Sequence, residues 1–269
     1  VKEVVANFER RNVPLAVFLL DSDWHYRDVG SYKRLHTGFT FNKELFPSPL
    51  DMSHYLHEHN IRFGLKINPE EGIYPHEAYY QQACSYLGVT DNKIIVFDPL
   101  NPKLLDVYFK LFLHPLESAG VDFFWHDYLA DKQPLKLLLY NHYNYKDIGR
   151  NPAKRSLMLS RSGLYASHRY PVLYAGSSEV SWESLREISA SLMAASNIGV
   201  SFWSHDVAGN HGGIEESELY IRYLELATFS PILRFHASRG HYYKREPWRW
   251  DIKTETIAND YLRLRHRLI

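Results

Sequence analysis

The sequence has a single cysteine, Cys84, among 269 residues, so it closes no internal disulfide and is not a disulfide scaffold. It has no excess charge of either sign. Lys plus Arg number 31 and Asp plus Glu number 31, which argues against a nucleic-acid binder. No apolar run reaches the roughly 18 residues a membrane-spanning helix needs, so no membrane association is expected. Neither a GxGxxG fingerprint nor a P-loop pattern is present, which weakens nucleotide binding and leaves no cofactor expected. There is no low-complexity tract. The opening Val1-Lys2-Glu3-Val4-Val5 lacks an initiator Met and the shape of a signal peptide. It starts inside a helix-like pattern, and Tyr261 to Ile269 stops inside another. Both ends read as those of an excerpt from a longer multidomain chain. A cytoplasmic location is expected, with any signal sequence outside these residues.

What is present points to a large α/β domain. A length of 269 residues suits one domain, since α/β barrels run about 200–250 residues or more as single units. Hydrophobic residues at 45% and charged residues at 23% exclude wholesale disorder. The surplus is aromatic: 20 Tyr, 14 Phe and 6 Trp, with 15 His. Flat apolar faces with polar rims suit sugars, which carry both C–H faces and hydroxyls. An aromatic-rich core explains the same numbers.

Seven short apolar runs alternate with helical patterns. The runs are Val13 to Leu20, Ile61 to Ile67, Val121 to Trp125, Ser156 to Leu159, Pro171 to Tyr174, Ile198 to Trp203 and Pro231 to Leu233. Near-continuous apolar runs suit strands buried on both faces of a parallel sheet. Helices are predicted over Leu50 to His59, Pro102 to Ala119, Trp182 to Ala195 (capped by Ser181) and Glu215 to Phe229. Pro134 to Arg150 shows no clear period and reads as an inserted loop. Repeated βα alternation indicates a (β/α)₈ barrel or a doubly wound sheet. With seven strands counted, the first of eight is expected upstream of Val1.

Polar residues follow every run, and in a barrel that end of the strands is the catalytic rim. Four carboxylates stand there, Asp21, Asp23, Asp127 and Asp206, with Arg161, His236, Trp24, Trp125 and Trp203. Glycosidic cleavage needs one carboxyl group at the anomeric carbon and one at the leaving oxygen. Any single Asp after a strand could instead cap the next helix.

These segments resemble the catalytic barrel of glycoside hydrolase family 31, the α-glucosidase and α-xylosidase group, nearly from end to end. The resemblance implies a (β/α)₈ TIM barrel and a retaining α-glycoside hydrolase or transglycosylase acting on an oligosaccharide or other α-glycoside. Asp21-Ser22-Asp23-Trp24 is similar to a D-x-D-W/Y segment, which implies that Asp21 holds hydroxyls of the cleaved sugar, with Asp23 and Trp24 beside it. Trp125-His126-Asp127 is similar to the W-x-D segment of the nucleophile, which implies that role for Asp127. Arg161-Ser162 resembles the segment of a sugar-binding arginine. Trp203-Ser204-His205-Asp206-Val207-Ala208-Gly209 resembles W-x-x-D-I-G-G and implies a sugar-binding Asp206. Arg234-Phe235-His236 implies a hydroxyl-binding His236, and Glu246-Pro247-Trp248 closes the series. Tyr26 and Asn210 are expected to shape sugar choice. Homo-oligomerisation is compatible with the sequence.

One position departs from the family pattern. The general acid/base is an Asp in a [WY]-x-G-D segment, and here Tyr174-Ala175-Gly176-Ser177 places Ser177 there. A serine hydroxyl is far too weak an acid to protonate a glycosidic oxygen near neutral pH. Either the natural protein lacks the acid, or Glu179 replaces it, or the serine is a deliberate substitution that traps ligand. Two other functions stay open: a silent carbohydrate-binding barrel, motivated by Ser177, and a metal-dependent barrel hydrolase, motivated by the histidines and rim carboxylates. The His57-Glu58-His59 triplet reads as a solvated helix surface, because adjacent helical residues point to different faces. Lys244-Arg245 reads as solvated surface too. His126, His205, Trp248 and Trp250 are open between sugar contact and structural packing, and Cys84 reads as a small buried residue.

Overall fold

The structure of the chain is a computed structural model. It describes residues 1–128, 133–161, 166–170, 172–238 and 245–268. They divide into two compact units, Ala16–Tyr170 and Val1–Leu15 with Pro171–Ile269.

After helix α1 (Lys2–Arg10), which belongs to the second unit, the Ala16–Tyr170 unit runs β1 (Val17–Leu20), α2 (Pro49–Glu58), β2 (Arg62–Ile67) and α3 (Tyr80–Leu87). It continues with α4 (Pro102–Val107), a π-helical stretch at Tyr108–Leu113, α5 (His114–Ser118), β3 (Phe123–His126), α6 (Pro134–Ile148) and β4 (Met158–Arg161). Strands β1 to β4 pair in sequence order and in parallel. Parallel pairing requires helical crossovers, and the sequence supplies their starts. Ser48 accepts from the Asp51 amide ahead of α2, and Asn101 accepts from Lys103 and Leu104 ahead of α4, each with Pro in the first turn. The crossovers bury β3 on both faces, and all four of its residues are buried.

In the second unit, β5 (Val172–Tyr174), α7 (Trp182–Asn197), β6 (Trp203–Asp206), α8 (Ser217–Thr228), β7 (Ile232–Arg234) and α9 (Ile252–Arg267) follow. Again the strands pair in parallel between sequence neighbours. Ser181 caps α7 through the Ser184 amide, as its position predicts. Helices α1, α7, α8 and α9 share a core around Phe8, Ile188, Tyr220, Tyr223, Leu224 and Leu262. Each such side chain contributes about 1.5–3 kcal/mol by leaving water.

Two expectations fail. Pro134 to Arg150 is helix α6, not an inserted loop. Its buried residues Leu137, Tyr140, Asn141, Asn144 and Ile148 keep helical spacing, but Tyr and Asn carry much of the pattern. The run beginning at Ile198 is not strand: Ile198 is the exposed C-cap of α7, and Gly199 (φ 81°) turns the chain in the left-handed region. Strand β6 therefore starts at Trp203 and carries His205 and Asp206 inside it. Trp248 and Trp250 pack structurally. Trp248 meets Phe8 edge-on at 4.9 Å, and Trp250 stacks on Tyr220 at 4.6 Å. No helix is long and apolar enough to cross a membrane among the described residues.

Candidate active site

In the Ala16–Tyr170 unit, four strand ends, those of β1 to β4, bring four charged side chains together. Side chains alternate faces along β2, so Lys66 leaves the face opposite Leu65 and Ile67. Its Nζ lies 3.0 Å from Asp21 Oδ1 and 3.0 Å from Asp127 Oδ2. Arg161, the last residue of β4, places Nη1 3.3 Å from the other oxygen of Asp127. Both carboxylate oxygens of Asp127 therefore face a cation. The Asp127 amide also donates to the Ile67 carbonyl at 2.9 Å, which fixes the residue beside the end of β2. Burial works against the charge of Lys66, but Asp21 and then Asp127 outweigh it and hold the ammonium above the usual lysine range.

Asp21 has two tasks. Its Oδ1 caps the short 3-10 turn Ser22–Trp24 by accepting from the Ser22 amide at 2.6 Å, and the same oxygen takes Lys66. Trp24 adds a second tie to β2, donating from Nε1 to the Lys66 carbonyl at 2.8 Å. Trp24 is fully buried and packs edge-on against Phe41. Trp125 is also buried, with Lys66 Nζ 4.8 Å from its ring centroid. Neither indole presents an open face for a sugar, contrary to the expectation of a Trp-lined rim. Asp23 points outward and pairs with Arg27 at 3.1 Å.

In the second unit, Asp206 is the centre of a buried network. Its Oδ1 accepts from Arg234 Nε at 3.0 Å and Nη2 at 2.6 Å. Its Oδ2 accepts from Tyr174 Oη at 2.8 Å and Asn210 Nδ2 at 3.1 Å, with His236 Nδ1 3.4 Å away. Asn210 Nδ2 also lies 2.9 Å from His236 Nδ1. Burial opposes the Asp206 charge, but Arg234, then His236 and Tyr174, outweigh it and hold the carboxyl below the usual range. Burial and the Asp206 charge push the Tyr174 phenol up. Arg234 also lies over the Tyr174 ring, 4.1 Å from its centroid.

Ser177 and Glu179 are both exposed. Ser177 Oγ is 3.5 Å from Tyr174 Oη. The Ser178 carbonyl accepts from Asn210 and the Val180 amide donates to His211, so the segment carrying Glu179 is tied to the turn after β6. The Glu179 side chain lies over Gly212. Trp203 is half-buried against Leu173, Ala195 and Val200.

The flanking histidines are structural. His126 Nδ1 is 2.8 Å from Tyr140 Oη, and burial pushes its pKa down to about 3. His205 lies 3.3 Å from Ser230 Oγ, and burial pushes it down to about 4. His57 pairs with Asp122 at 2.7 Å rather than facing solvent alone. Arg245 is not solvated surface. It is buried and donates to the Ala208 and Gly209 carbonyls, pinning the turn after β6; Lys244 and Ser162 lie outside the described residues. No group of three or more His, Cys, Asp and Glu is placed to hold a metal ion among the described residues, so the metal-dependent reading has no ligand set there.

Sequence reasoning missed Lys66. A lysine inside an apolar strand, one residue from its end, was the available signal, because a buried lysine needs partners.

A family profile described as the glycosyl hydrolases family 31 TIM-barrel domain matches residues 1–269. An α-xylosidase of Saccharolobus solfataricus is 25% identical over 300 residues, covering 100% of this chain and 39% of that protein. Neutral α-glucosidase C of Homo sapiens is 24% identical over 310 residues, covering 100% of this chain and 33% of that protein. The chain thus spans well under half the length of these relatives. Among solved structures, the cycloalternan-degrading enzyme from Trueperella pyogenes in complex with cycloalternan is similar with a TM-score of 0.78 and 21% identity, covering 99% of this chain and 44% of that one. The chain belongs to glycosyl hydrolase family 31, with the TIM-barrel fold of that family.

Proposed function

We propose that residues 1–269 act as one catalytic barrel domain of a retaining α-glycoside hydrolase or transglycosylase, with Asp127 as nucleophile. The carrying observation is Asp127 itself, a carboxylate at a strand end with Lys66 on one oxygen, Arg161 on the other and Asp21 on the same ammonium. A nucleophilic carboxylate must be oriented, and a cation on each of its oxygens does that. The relatives named as an α-xylosidase and an α-glucosidase support an α-linked glucoside or related sugar as substrate.

In this reading an oxygen of Asp127 attacks the anomeric carbon and the glycosidic oxygen departs, leaving a covalent glycosyl-enzyme. Water or a second sugar then attacks the same carbon and restores the carboxylate. Asp21 accepts sugar hydroxyls, and Arg161 orients the nucleophile. Trp24 and Trp125 act from beneath, by fixing Lys66. Asp206 and His236 keep the hydroxyl-binding roles implied by the family pattern. Because four donors already occupy Asp206, its neighbour His236 is the better placed of the two to meet a hydroxyl. Ser177 occupies the acid/base position, and Glu179 is the alternative acid in that segment.

Ser177 also favours a second reading, a barrel that binds α-glycosides but hardly turns them over. Assays on p-nitrophenyl α-glycosides separate the two. General acid catalysis contributes roughly 10²–10⁴-fold, so Ser177→Asp should gain activity on that scale if the acid is missing. If Glu179 is the acid, the parent is active and Glu179→Gln abolishes it. In either case Asp127→Asn must eliminate turnover, and an active Asp127→Asn variant refutes the proposal.

A further inference from the structure

We propose that Lys66 is a positioning residue that sets the balance between the two half-reactions, by stabilising Asp127 as it leaves the covalent intermediate. This rests on the reading of Asp127 as nucleophile.

Lys66 is shared equally between two carboxylates. One ammonium stands 3.0 Å from an oxygen of Asp21 and 3.0 Å from an oxygen of Asp127. Its side chain is 15% exposed and that of Asp127 is 11% exposed, so water screens this pair weakly, whereas Asp21 is 45% exposed. Trp125 packs beside it, and the Trp24 indole holds its backbone carbonyl. The lysine therefore cannot follow one carboxylate away from the other. Its charge is secure, because the two aspartates more than offset the effect of burial.

The charge on Asp127 changes during the reaction. In the first half-reaction Asp127 donates an electron pair to the anomeric carbon, and the leaving group departs with the pair of the broken glycosidic bond. Asp127 is then a neutral ester, and Lys66 keeps Asp21 as its anionic partner. In the second, a water oxygen bonds to the anomeric carbon. The ester C–O bond breaks with its pair returning to Asp127, and the proton of the water passes to solvent base. A cation fixed 3.0 Å from the returning charge favours this step and disfavours the first. Losing that cation slows the step in which the charge returns to Asp127 and spares the step in which it leaves. Asp21 gives Lys66 a second anchor, so the ammonium stays in place while the Asp127 charge is absent.

α-Glucosyl fluoride and α-xylosyl fluoride test this, because fluoride leaves without a proton and Ser177 is no obstacle. In Lys66→Met, deglycosylation is expected to slow about tenfold while glycosylation does not. The variant then shows a fluoride burst equal to the enzyme concentration, a glycosyl adduct in the intact-protein mass, and kcat and KM falling together. Lys66→Arg keeps the charge and restores turnover without the burst. The proposal is overturned if Lys66→Met loses kcat at unchanged KM with no burst and no adduct, or if Lys66→Arg behaves like Lys66→Met. A purely structural role would produce one of those outcomes. Asp127→Asn separates the two levels: an adduct surviving in it refutes Asp127 as nucleophile, not the effect of Lys66 alone. No turnover and no adduct in any form overturns the functional reading and this inference together.

Discussion

Replacing Arg234 with Met tests whether charge pairing holds the network around Asp206. The Asp206 side chain has no solvent exposure and that of Arg234 is 11% exposed, so water cannot replace the lost partner. Removing one member of a buried ion pair typically costs about 3–5 kcal/mol. Tyr174 and Asn210 still donate to the other oxygen, so the expected loss is near the lower end, about 3 kcal/mol. At about 2–4 °C per kcal/mol for chains approaching this size, the melting midpoint should fall by roughly 6–12 °C at neutral pH. The pH dependence has a definite sign. In the intact chain Asp206 is held below the usual range, so its contribution is present above the ordinary carboxylate value and is lost as pH falls through the folded value. Without Arg234, burial is opposed only by His236, Tyr174 and Asn210, and the carboxyl takes up a proton more readily. The deficit of Arg234→Met against the parent should therefore be largest at neutral pH and shrink in acid. Thermal unfolding followed by circular dichroism at neutral and acidic pH measures this, for the parent, Arg234→Met, Asp206→Asn and the double variant. The double variant leaves no buried charge unpaired and should regain much of the loss of Arg234→Met. If the two losses simply add, and neither depends on pH, charge pairing is not what holds this network.

Trp24→Phe keeps an aromatic ring, though a smaller one, in the buried site and removes the donor to the Lys66 carbonyl, so urea unfolding should show a loss of about 1–3 kcal/mol. A loss below about 0.5 kcal/mol would mean that the indole nitrogen is not anchoring β2. His126, pushed down to about 3 by burial, should stay neutral across the physiological range, and its imidazole resonances should not move between about pH 5 and 8. A titration in that window would refute its burial beside Tyr140.

How much could be read in advance depended on whether chemistry or packing chose the residues. The seven apolar runs were legible because crossover helices bury parallel strands on both faces, and all seven lead into strands among the described residues. Helix α6 was not, because Tyr140, Asn141 and Asn144 fill its buried positions and residue type alone does not reveal that they turn inward. The start of β6 was displaced for a related reason: Ile198 is apolar yet caps a helix in solvent, so hydrophobicity ran ahead of the strand. In the candidate site, motif order brought out Asp21, Asp127 and Arg161, and the fold places these three within reach of one another or of one lysine. The burial of Trp24 and Trp125 was not legible, because an aromatic at a strand end suits either a sugar or a neighbouring strand, and only tertiary contacts decide between them. Trp24 is committed to the Lys66 carbonyl, and Trp125 to the Lys66 ammonium. Lys66 was overlooked because a charge inside an apolar run counts against a strand in pattern reasoning. A buried ammonium is instead a reason to look for two carboxylates, since one partner in a half-dry site rarely offsets the desolvation of a cation. Here the carboxylate proposed to attack and the one proposed to hold the sugar are those two partners. Strand packing and charge placement at this site are therefore a single constraint, in which altering either aspartate also strands the lysine between them.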